Sequence, residues 1–229
     1  MNDIADNVKR LRGAIGEAAV KSGRDPGDIT LVAASKMKPA EMVRQAIDAG
    51  VDAVGENRVQ ELLEKREQGA YHGAPLHFIG HLQSNKVRQV VGVCDLIESV
   101  GSSSLLEMIG KKAASLGIVQ NVLLEINIGK EPQKTGIFPE QAESVLELAS
   151  RTDGINVLGL MAVPPIFTEN ERNCYYFDAI FQLFVDISKK KYDNVSMRFL
   201  SMGMSDSYIE AILAGSNMVR IGTAIFGGR

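Results

Sequence analysis

A regular alternation of short apolar runs with helix-like patterns constrains the fold of this chain more than any other feature of its sequence. The runs recur very roughly every two to three dozen residues and are rich in β-branched side chains. Several are uniformly apolar rather than alternating, such as Leu31-Val32-Ala33-Ala34, which indicates parallel strands buried on both faces. Repeated βα units of this kind predict a parallel sheet covered by helices.

Eight such runs predict eight strands. They are Ile29–Ser35, Ala53–Glu56, Leu76–Gly80, Asp95–Ser99, Val122–Asn127, Val157–Met161, Arg198–Met202 and Met218–Gly222. An extra helix is predicted over about Ile4–Lys21. Eight parallel strands favour closure into a (β/α)8 barrel of the TIM type, and 229 residues match the roughly 200–250 residues of that fold. No linker-like segment divides the chain, so one barrel domain over residues 1–229 is predicted.

Composition argues against several classes of partner. Hydrophobic residues make up 45% and charged residues 23%, as in ordinary globular domains. The formal net charge of −3 and the lack of a long basic run predict no general attraction to nucleic acid or anionic lipid. The N-terminal segment matches neither a signal peptide nor a membrane span, which predicts a cytoplasmic protein. Cys94 and Cys174 are isolated and are interpreted as reduced packing residues.

Polar residues at the predicted strand ends indicate where a site lies. Barrels of this kind bind ligands at the carboxyl ends of their strands. The residues at those ends are Ser35-Lys36, Glu56-Asn57, Gly80-His81, Asn127, Met161, Ser201 and Gly222-Thr223. In a closed barrel they converge on one mouth. Glu56 is interpreted as a tie between neighbouring strand ends.

Lys36 has the sequence context of a reactive lysine. It follows an almost wholly apolar strand, where partial desolvation would disfavour the ammonium form and leave the amine available to a carbonyl. A lysine that forms a Schiff base needs that property. The alternative is a solvated lysine on the rim, which describes Lys38 well.

Residues after strands seven and eight predict a phosphate site, as is frequent in such barrels. Gly222 permits close backbone approach, and Thr223 offers an N–H and a hydroxyl. Ser205 precedes a helix and can present a hydroxyl to an anion, although Ser205 or Asp206 can equally be a simple helix cap. A phosphate site opposite a lysine fits pyridoxal 5′-phosphate and, equally, a sugar phosphate held by a Schiff-base aldolase.

Six sequence blocks, taken in order, favour one of these ligands. They are Ala34-Ser35-Lys36, GENRVQE at 55–61, HFIGHLQSNK at 77–86, Gly159-Leu160-Met161, SMGMS at 201–205 and RIGTAIFG at 220–227. With these blocks the chain resembles the pyridoxal-phosphate homeostasis protein family, relatives of the alanine racemase N-terminal barrel, over essentially its whole length. The resemblance implies that pyridoxal 5′-phosphate is the cofactor.

The resemblance also implies roles for residues around the cofactor ring. Lys36 would carry the cofactor as a Schiff base, and Asn57 would lie near its phenolic oxygen. Met161 would pack against the pyridine ring. His81 and Leu82 would line the mouth.

Further implied roles concern the phosphate and the ring nitrogen. Ser205, Gly222 and Thr223 would hold the phosphate, with Ser201 nearby. Arg220 would lie beside the ring nitrogen, where a permanent cation disfavours protonation and weakens the ring as an electron sink. The alternative for Arg220 is a rim arginine paired with a carboxylate.

The sequence supports two principal functions. The first is buffering or delivery of pyridoxal phosphate without turnover, by a monomer that supplies apo-enzymes. The second is amino-acid racemization, because the barrel with Lys36 and Arg220 looks like half of alanine racemase. Two-base racemization needs a second acid/base, and none of the five tyrosines lies in a matched block. A phosphosugar aldolase leaves the Asn57 and Arg220 blocks unexplained. Because no second base for racemization is evident either, the non-catalytic function is expected.

Overall fold

Eight parallel strands close into a barrel in chain order in the computed structural model of the chain, which describes residues 3–165 and 174–228. Each strand pairs with its sequence neighbours, and β1 also pairs with β8. The strands are β1 (Thr30–Ala34), β2 (Ala53–Glu56), β3 (Leu76–Phe78), β4 (Leu96–Val100), β5 (Gln120–Ile126), β6 (Ile155–Ala162), β7 (Val195–Ser201) and β8 (Met218–Ile221). The (β/α)8 prediction is confirmed.

Helices cover the outside of this barrel. They are α1 (Ile4–Lys21), α2 (Ala40–Asp48), α3 (Val59–Glu67), α4 (Val87–Val90), α5 (Ser103–Ser115), α6 (Ala142–Ala149), α7 (Cys174–Ser188), α8 (Tyr208–Leu213) and α9 (Thr223–Phe226). The additional helix α1 has the predicted bounds. It contacts α2, α8 and α9, so it fills the outer layer where the first and last strands meet.

Helix α1 begins where its sequence predicts. The Asp3 carboxylate accepts hydrogen bonds from the N–H groups of Ala5 and Asp6, which satisfies donors that the first helical turn leaves unpaired. Its apolar face, with Val8 and Ile15, is buried in the core beside β1 and β8. The helix is therefore held by a polar cap at one end and by packing along its length.

The predicted strand positions are correct, but three strands start earlier than expected, β5 and β6 by two residues and β7 by three. β7 begins at Val195 rather than Arg198, and its first half alternates between exposed and half-buried residues. An apolar-run criterion does not detect such a segment, because only Leu200 and Ser201 at its end are buried. The carboxyl end, which matters for the site, was predicted within one residue.

The core of the barrel itself is a compact apolar floor. A cluster drawn from strand residues, without helix residues, fills the interior below the mouth: Val32, Ala53, Leu96, Leu123, Leu158, Met161 and Met218, with Phe199 against it. Layers of inward-pointing side chains are the usual filling of such barrels. This floor lies below the mouth formed by the carboxyl ends of the strands.

Two further sequence predictions concern cysteine and the membrane. Cys94 is a buried free thiol, as predicted, and burial raises its pKa. The side chain of Cys174 lies outside the described residues. Across 3–165 and 174–228, no helix combines the length and apolar character that a membrane crossing requires.

Candidate ligand site at the barrel mouth

A cavity of about 510 Å³ opens at the carboxyl ends of the strands. Six of the predicted site residues lie on its wall: Lys36, Asn57, Ser205, Arg220, Gly222 and Thr223. Met37, Lys38, Ile79, Val163, Met204 and Asp206 are among the other wall residues. The fold therefore brings together in one cavity residues of β1 and β8 and residues that follow β1, β2, β7 and β8.

Lys36 lies on the cavity wall, and its side chain is exposed. The partial desolvation expected from the apolar strand is therefore wrong. Strand β1 is buried but ends at Ala34, and Ser35 is the last buried residue before the chain enters the open mouth. A ligand in the cavity can reach the Lys36 amine without a rearrangement of the core.

Lys38 shares this wall but is engaged by the chain itself. Its ammonium group donates to the carbonyl oxygens of Gly227 (3.2 Å) and Gly228 (3.1 Å), near the C-terminus. The interpretation of Lys38 as a solvated rim lysine is wrong to that extent, because its side chain is tied across the edge of the mouth. These two lysines thus differ: one is bound to carbonyl groups and the other is exposed to the cavity.

The segments after β7 and β8 form the part of the wall next to the end of β1, since β8 pairs with β1. The N–H of Ala224 donates to the Ser205 hydroxyl oxygen (3.3 Å), which joins the two segments. Ser207, not Ser205 or Asp206, is the capping position of α8, so the capping alternative for those two residues is wrong. The chain can pass here because Gly222 has no Cβ. A Cβ at this position would lie 3.0 Å from the Ala34 carbonyl oxygen.

Asn57 is half-buried on the wall next to β2, and the end of β3 packs directly against its backbone. A Cβ on Gly80 would lie 2.1 Å from the Asn57 carbonyl oxygen, which no side chain tolerates. Gly80 in the HFIGH block is therefore explained by this close approach of two strand ends.

Arg220 is buried, with only 4% of its surface exposed, although it contributes to the cavity wall. It donates to the Ser201 hydroxyl (2.5 Å) and to the Ala162 carbonyl oxygen (3.0 Å), and it lies 3.8 Å from the Glu98 carboxylate. The alternative interpretation, a rim arginine paired with a carboxylate, is correct about the carboxylate and wrong about the rim, because Arg220 is buried. Burial is the main cause that lowers the pKa of Arg220, and the charges of Glu98 and Glu125 oppose it.

Glu98 is a fully buried carboxylate that the strand-end rule missed. It accepts a hydrogen bond from the Ser201 hydroxyl (2.6 Å) and is 2.7 Å from Nδ1 of His77. Burial acts to raise the pKa of Glu98, but the hydrogen bond and charge of His77, the charge of Arg220 and the hydrogen bond from Ser201 together lower it. A charged residue inside an apolar strand, as in Leu96-Ile97-Glu98, is the sequence signal that identifies it.

Glu125 is a second carboxylate close to Arg220, with the opposite pKa shift. Burial is the largest cause and raises the pKa of Glu125, while the charge of Arg220, a hydrogen bond from Thr135 and the charge of His81 act to lower it. The barrel interior thus places two unlike carboxyl groups near one guanidinium.

Four residues that the family resemblance associates with the ligand do not lie on the cavity wall. Met161 is buried in the apolar floor, and Ser201 is fully buried between Arg220 and Glu98. The expectation that Leu82 lines the mouth is wrong, because Leu82 is buried in the core between barrel and helices. His81 is exposed outside the wall.

Comparison with known proteins identifies the class to which this fold and site belong. The family model for the alanine racemase N-terminal domain matches residues 2–229. The pyridoxal phosphate homeostasis protein of Escherichia coli is 40% identical over 235 residues, which cover 100% of this chain and 98% of that protein. The protein of the same name from Aquifex aeolicus is 38% identical over 227 residues, 99% of both chains. The chain therefore belongs to the alanine racemase N-terminal domain family, within the group of pyridoxal phosphate homeostasis proteins.

Solved structures agree with this assignment. PipY from Synechococcus elongatus, determined with pyridoxal phosphate bound, is 30% identical with a TM-score of 0.83, covering 98% of this chain and 100% of that one. A protein of unknown function from Bifidobacterium adolescentis is 36% identical with a TM-score of 0.92, covering 98% and 94%. The alanine racemase of Clostridium difficile has a TM-score of 0.78 at 18% identity and covers 100% of this chain but 57% of that one, so it shows the fold alone.

Proposed function

We propose that this protein binds pyridoxal 5′-phosphate at the barrel mouth and buffers or delivers it without turning over amino acids. One observation carries the proposal: a single cavity brings the exposed Lys36 amine together with Ser205, Gly222 and Thr223. The names of the homeostasis proteins and the PipY structure with pyridoxal phosphate support the choice of ligand. Apo-enzymes as recipients, a monomeric state and a cytoplasmic location belong to the same proposal.

The residues of the cavity fit this cofactor. A primary amine follows β1, and hydroxyl and backbone groups that suit a phosphate follow β7 and the neighbouring β8 in the same cavity. A side chain in place of Gly222 would crowd the Ala34 carbonyl oxygen, so glycine allows the segment that carries Thr223 to pass close to the end of β1 and to Lys36. When bound, pyridoxal phosphate supplies an aldehyde that condenses with a primary amine and a ring that accepts electrons.

The chain's own residues have distinct tasks in this proposal. Lys36 forms the covalent attachment, and Asn57 orients the ring through its amide. Ser205 and Thr223 donate hydrogen bonds to the phosphate, for which Gly222 leaves room. Beneath them, Met161 supports the site as part of the apolar floor, and Ser201 orients Arg220 through its 2.5 Å hydrogen bond.

A non-catalytic role is supported by the charges around the cavity. The buried cation of Arg220 disfavours protonation of a ligand base near it, which limits carbanion stabilisation. Two-base racemization also needs an acid/base across the substrate from Lys36. On the described part of the wall, the other amine is Lys38, which is bound to carbonyl groups, and the carboxylate is Asp206, on the phosphate side. We therefore favour a carrier over a racemase.

The matched pair Lys36→Ala and Lys38→Ala tests the binding site, because both lysines share one wall. Wild type mixed with pyridoxal phosphate should develop visible absorbance, and borohydride should fix the cofactor on the peptide that contains Lys36. Lys36→Ala should lose both signals while remaining folded, and Lys38→Ala should keep both. Fixation on another peptide would contradict the proposed site.

The absence of turnover needs a separate measurement on the loaded protein. L-Alanine in deuterated water, followed by NMR, reports exchange of the α-proton. We expect exchange far slower than the median enzymatic rate of about 10 per second. Exchange at that rate that disappears in Lys36→Ala would refute the carrier and establish the racemase.

A further inference from the structure

Lys36 lies in a tight turn with an unusual backbone conformation. The N–H of Lys38 donates to the Ser35 carbonyl oxygen (3.1 Å), which closes a four-residue turn after β1. Met37, the third residue, has a φ of 60°, in the left-handed region that residues other than glycine seldom adopt. Its side chain is 57% exposed, so side-chain packing does not impose this conformation. Polar contacts of the backbone must hold the turn.

The residue before Lys36 is fixed by a buried ion pair. Ser35 is fully buried, and its hydroxyl donates to a Glu56 carboxylate oxygen (2.5 Å). The ammonium group of Lys65, on α3, donates both to the Ser35 carbonyl oxygen (2.8 Å) and to Glu56 (2.6 Å). The interpretation of Glu56 as a tie between strand ends is thus correct, and Lys65 extends that tie to a helix.

The residue after Lys36 is fixed by the same helix. The N–H of Met37 donates to a Glu61 carboxylate oxygen (2.6 Å), a hydrogen bond strengthened by the charge of its acceptor. Glu61 precedes Lys65 by one helical turn, and their charged groups are 3.8 Å apart. One face of α3 therefore holds both neighbours of Lys36.

We propose that helix α3 positions Lys36 for its ligand: Lys65, with Glu56, holds the preceding residue, and Glu61 holds the following one. Neither Glu61 nor Lys65 lies on the cavity wall, so both act through the turn rather than on the ligand. The inference rests on the proposed function, in which Lys36 binds pyridoxal phosphate. A turn that is held before the ligand arrives loses less backbone entropy when Lys36 binds it.

Glu61→Ala tests this role with two matched variants. It removes the acceptor of the Met37 N–H and keeps a good helix former. The Kd for pyridoxal phosphate should rise about tenfold, the effect of one weak charged hydrogen bond, and the Met37 amide should exchange faster in ligand-free protein. Glu61→Gln keeps an acceptor oxygen and should restore both properties. Glu64→Ala, an exposed glutamate on the same helix that accepts from Gln60, should change neither.

The double variant Glu56→Gln/Lys65→Met tests the preceding side of the turn. It removes the buried pair without leaving one charge unpaired. We expect faster amide exchange across Ser35–Lys38 and a raised Kd in the folded protein. A folded double variant with the wild-type Kd would overturn the assignment of Lys65. If the double variant does not fold, the Glu61 variants decide alone.

The outcomes separate this inference from the proposed function. A wild type that does not bind pyridoxal phosphate refutes the proposed function and the positioning role together. A wild type that binds, beside a Glu61→Ala variant with unchanged Kd, overturns the positioning role alone, even if the Met37 amide exchanges faster. Glu61→Gln as impaired as Glu61→Ala also overturns it, because the hydrogen bond would then not be the cause.

Discussion

Two buried carboxylates of this barrel, Glu56 and Glu98, have similar partners but face opposite sides of the strand wall. Glu56 faces the helices, where one of its oxygens accepts from Ser35, Lys65 and Tyr71. Its other oxygen is buried without a hydrogen-bond partner among the described residues. This cluster holds a stretch of backbone, because Lys65 also binds the Ser35 carbonyl oxygen.

Glu98 faces the barrel interior and uses both of its oxygens. One is 2.7 Å from His77, and the other accepts from Ser201 and lies 3.8 Å from Arg220. This cluster holds a side chain, the guanidinium of Arg220, at the cavity wall.

A buried carboxylate thus positions backbone in one cluster and a side chain in the other. Glu56, on the helix side, fixes the backbone next to Lys36, whereas Glu98, inside the barrel, fixes the position of the Arg220 guanidinium. The two differ in redundancy. Among the described residues Glu56 has one cationic partner, Lys65, whereas Glu98 has Arg220 and, when protonated, His77.

The largest expected effect on stability follows from replacing Lys65, the one cation paired with Glu56 among the described residues. Lys65→Met should lower the free energy of unfolding by about 3–5 kcal/mol, because it leaves a buried carboxylate without its counter-charge. Arg220→Met should cost less, since Glu98 keeps His77 and Ser201. Urea unfolding of both variants measures the difference, with Glu56→Gln/Lys65→Met as the control that should recover most of the loss. Equal losses in the two single variants would remove the distinction between the clusters.

An intermediate effect concerns the pH dependence of stability, to which Glu98 and its partners inside the barrel contribute. The pKa of Glu98 is lowered in the folded state, so its carboxylate stabilises the fold above the unfolded pKa of about 4.3, and this stabilisation is lost as pH falls through the folded value. Glu98→Gln should therefore lose about 2 kcal/mol near neutral pH, and the loss should shrink in acid.

Glu125→Gln is the matched comparison for this pH dependence. The raised pKa of Glu125 has the opposite sign, so this variant should gain stability relative to wild type as pH rises above about 4.3. Chemical denaturation of the three proteins between acid and neutral pH checks both signs. A Glu98→Gln deficit that does not depend on pH would show that its carboxylate titrates alike in the folded and unfolded chains.

The smallest expected effect distinguishes the Glu56 cluster, which holds backbone, from the Glu98 cluster, which holds Arg220 at the cavity wall. Tyr71→Phe and Ser201→Ala each remove one hydroxyl that donates to a buried carboxylate, and each should cost about 1.5 kcal/mol of stability. Ser201→Ala should also weaken retention of pyridoxal phosphate, because Ser201 orients Arg220 at the wall, whereas Tyr71→Phe leaves the contacts of Glu56 and Lys65 with Ser35 in place and should not. Unfolding curves and cofactor titrations of both variants test this. Similar weakening in Tyr71→Phe would contradict the division of roles.

The sequence by itself determined the architecture and the location of the site. Uniform apolar runs identify buried parallel strands without knowledge of their neighbours, since only a strand covered on both faces lacks polar residues. The eight predicted strands, several of them uniformly apolar, converge at one end. The residues that follow them, including Lys36, Asn57, Ser205 and Thr223, consequently line one cavity.

Only the tertiary structure decided how deeply each group lies and which groups meet. Exposure of Lys36 depends on where β1 ends relative to the rim, and burial of Met161 and Leu82 depends on the layer each reaches. The hydrogen bond from Ser201 to Glu98 joins residues 103 positions apart. Such contacts follow from barrel closure and strand stagger, which local patterns do not encode because every strand has the same alternation of faces.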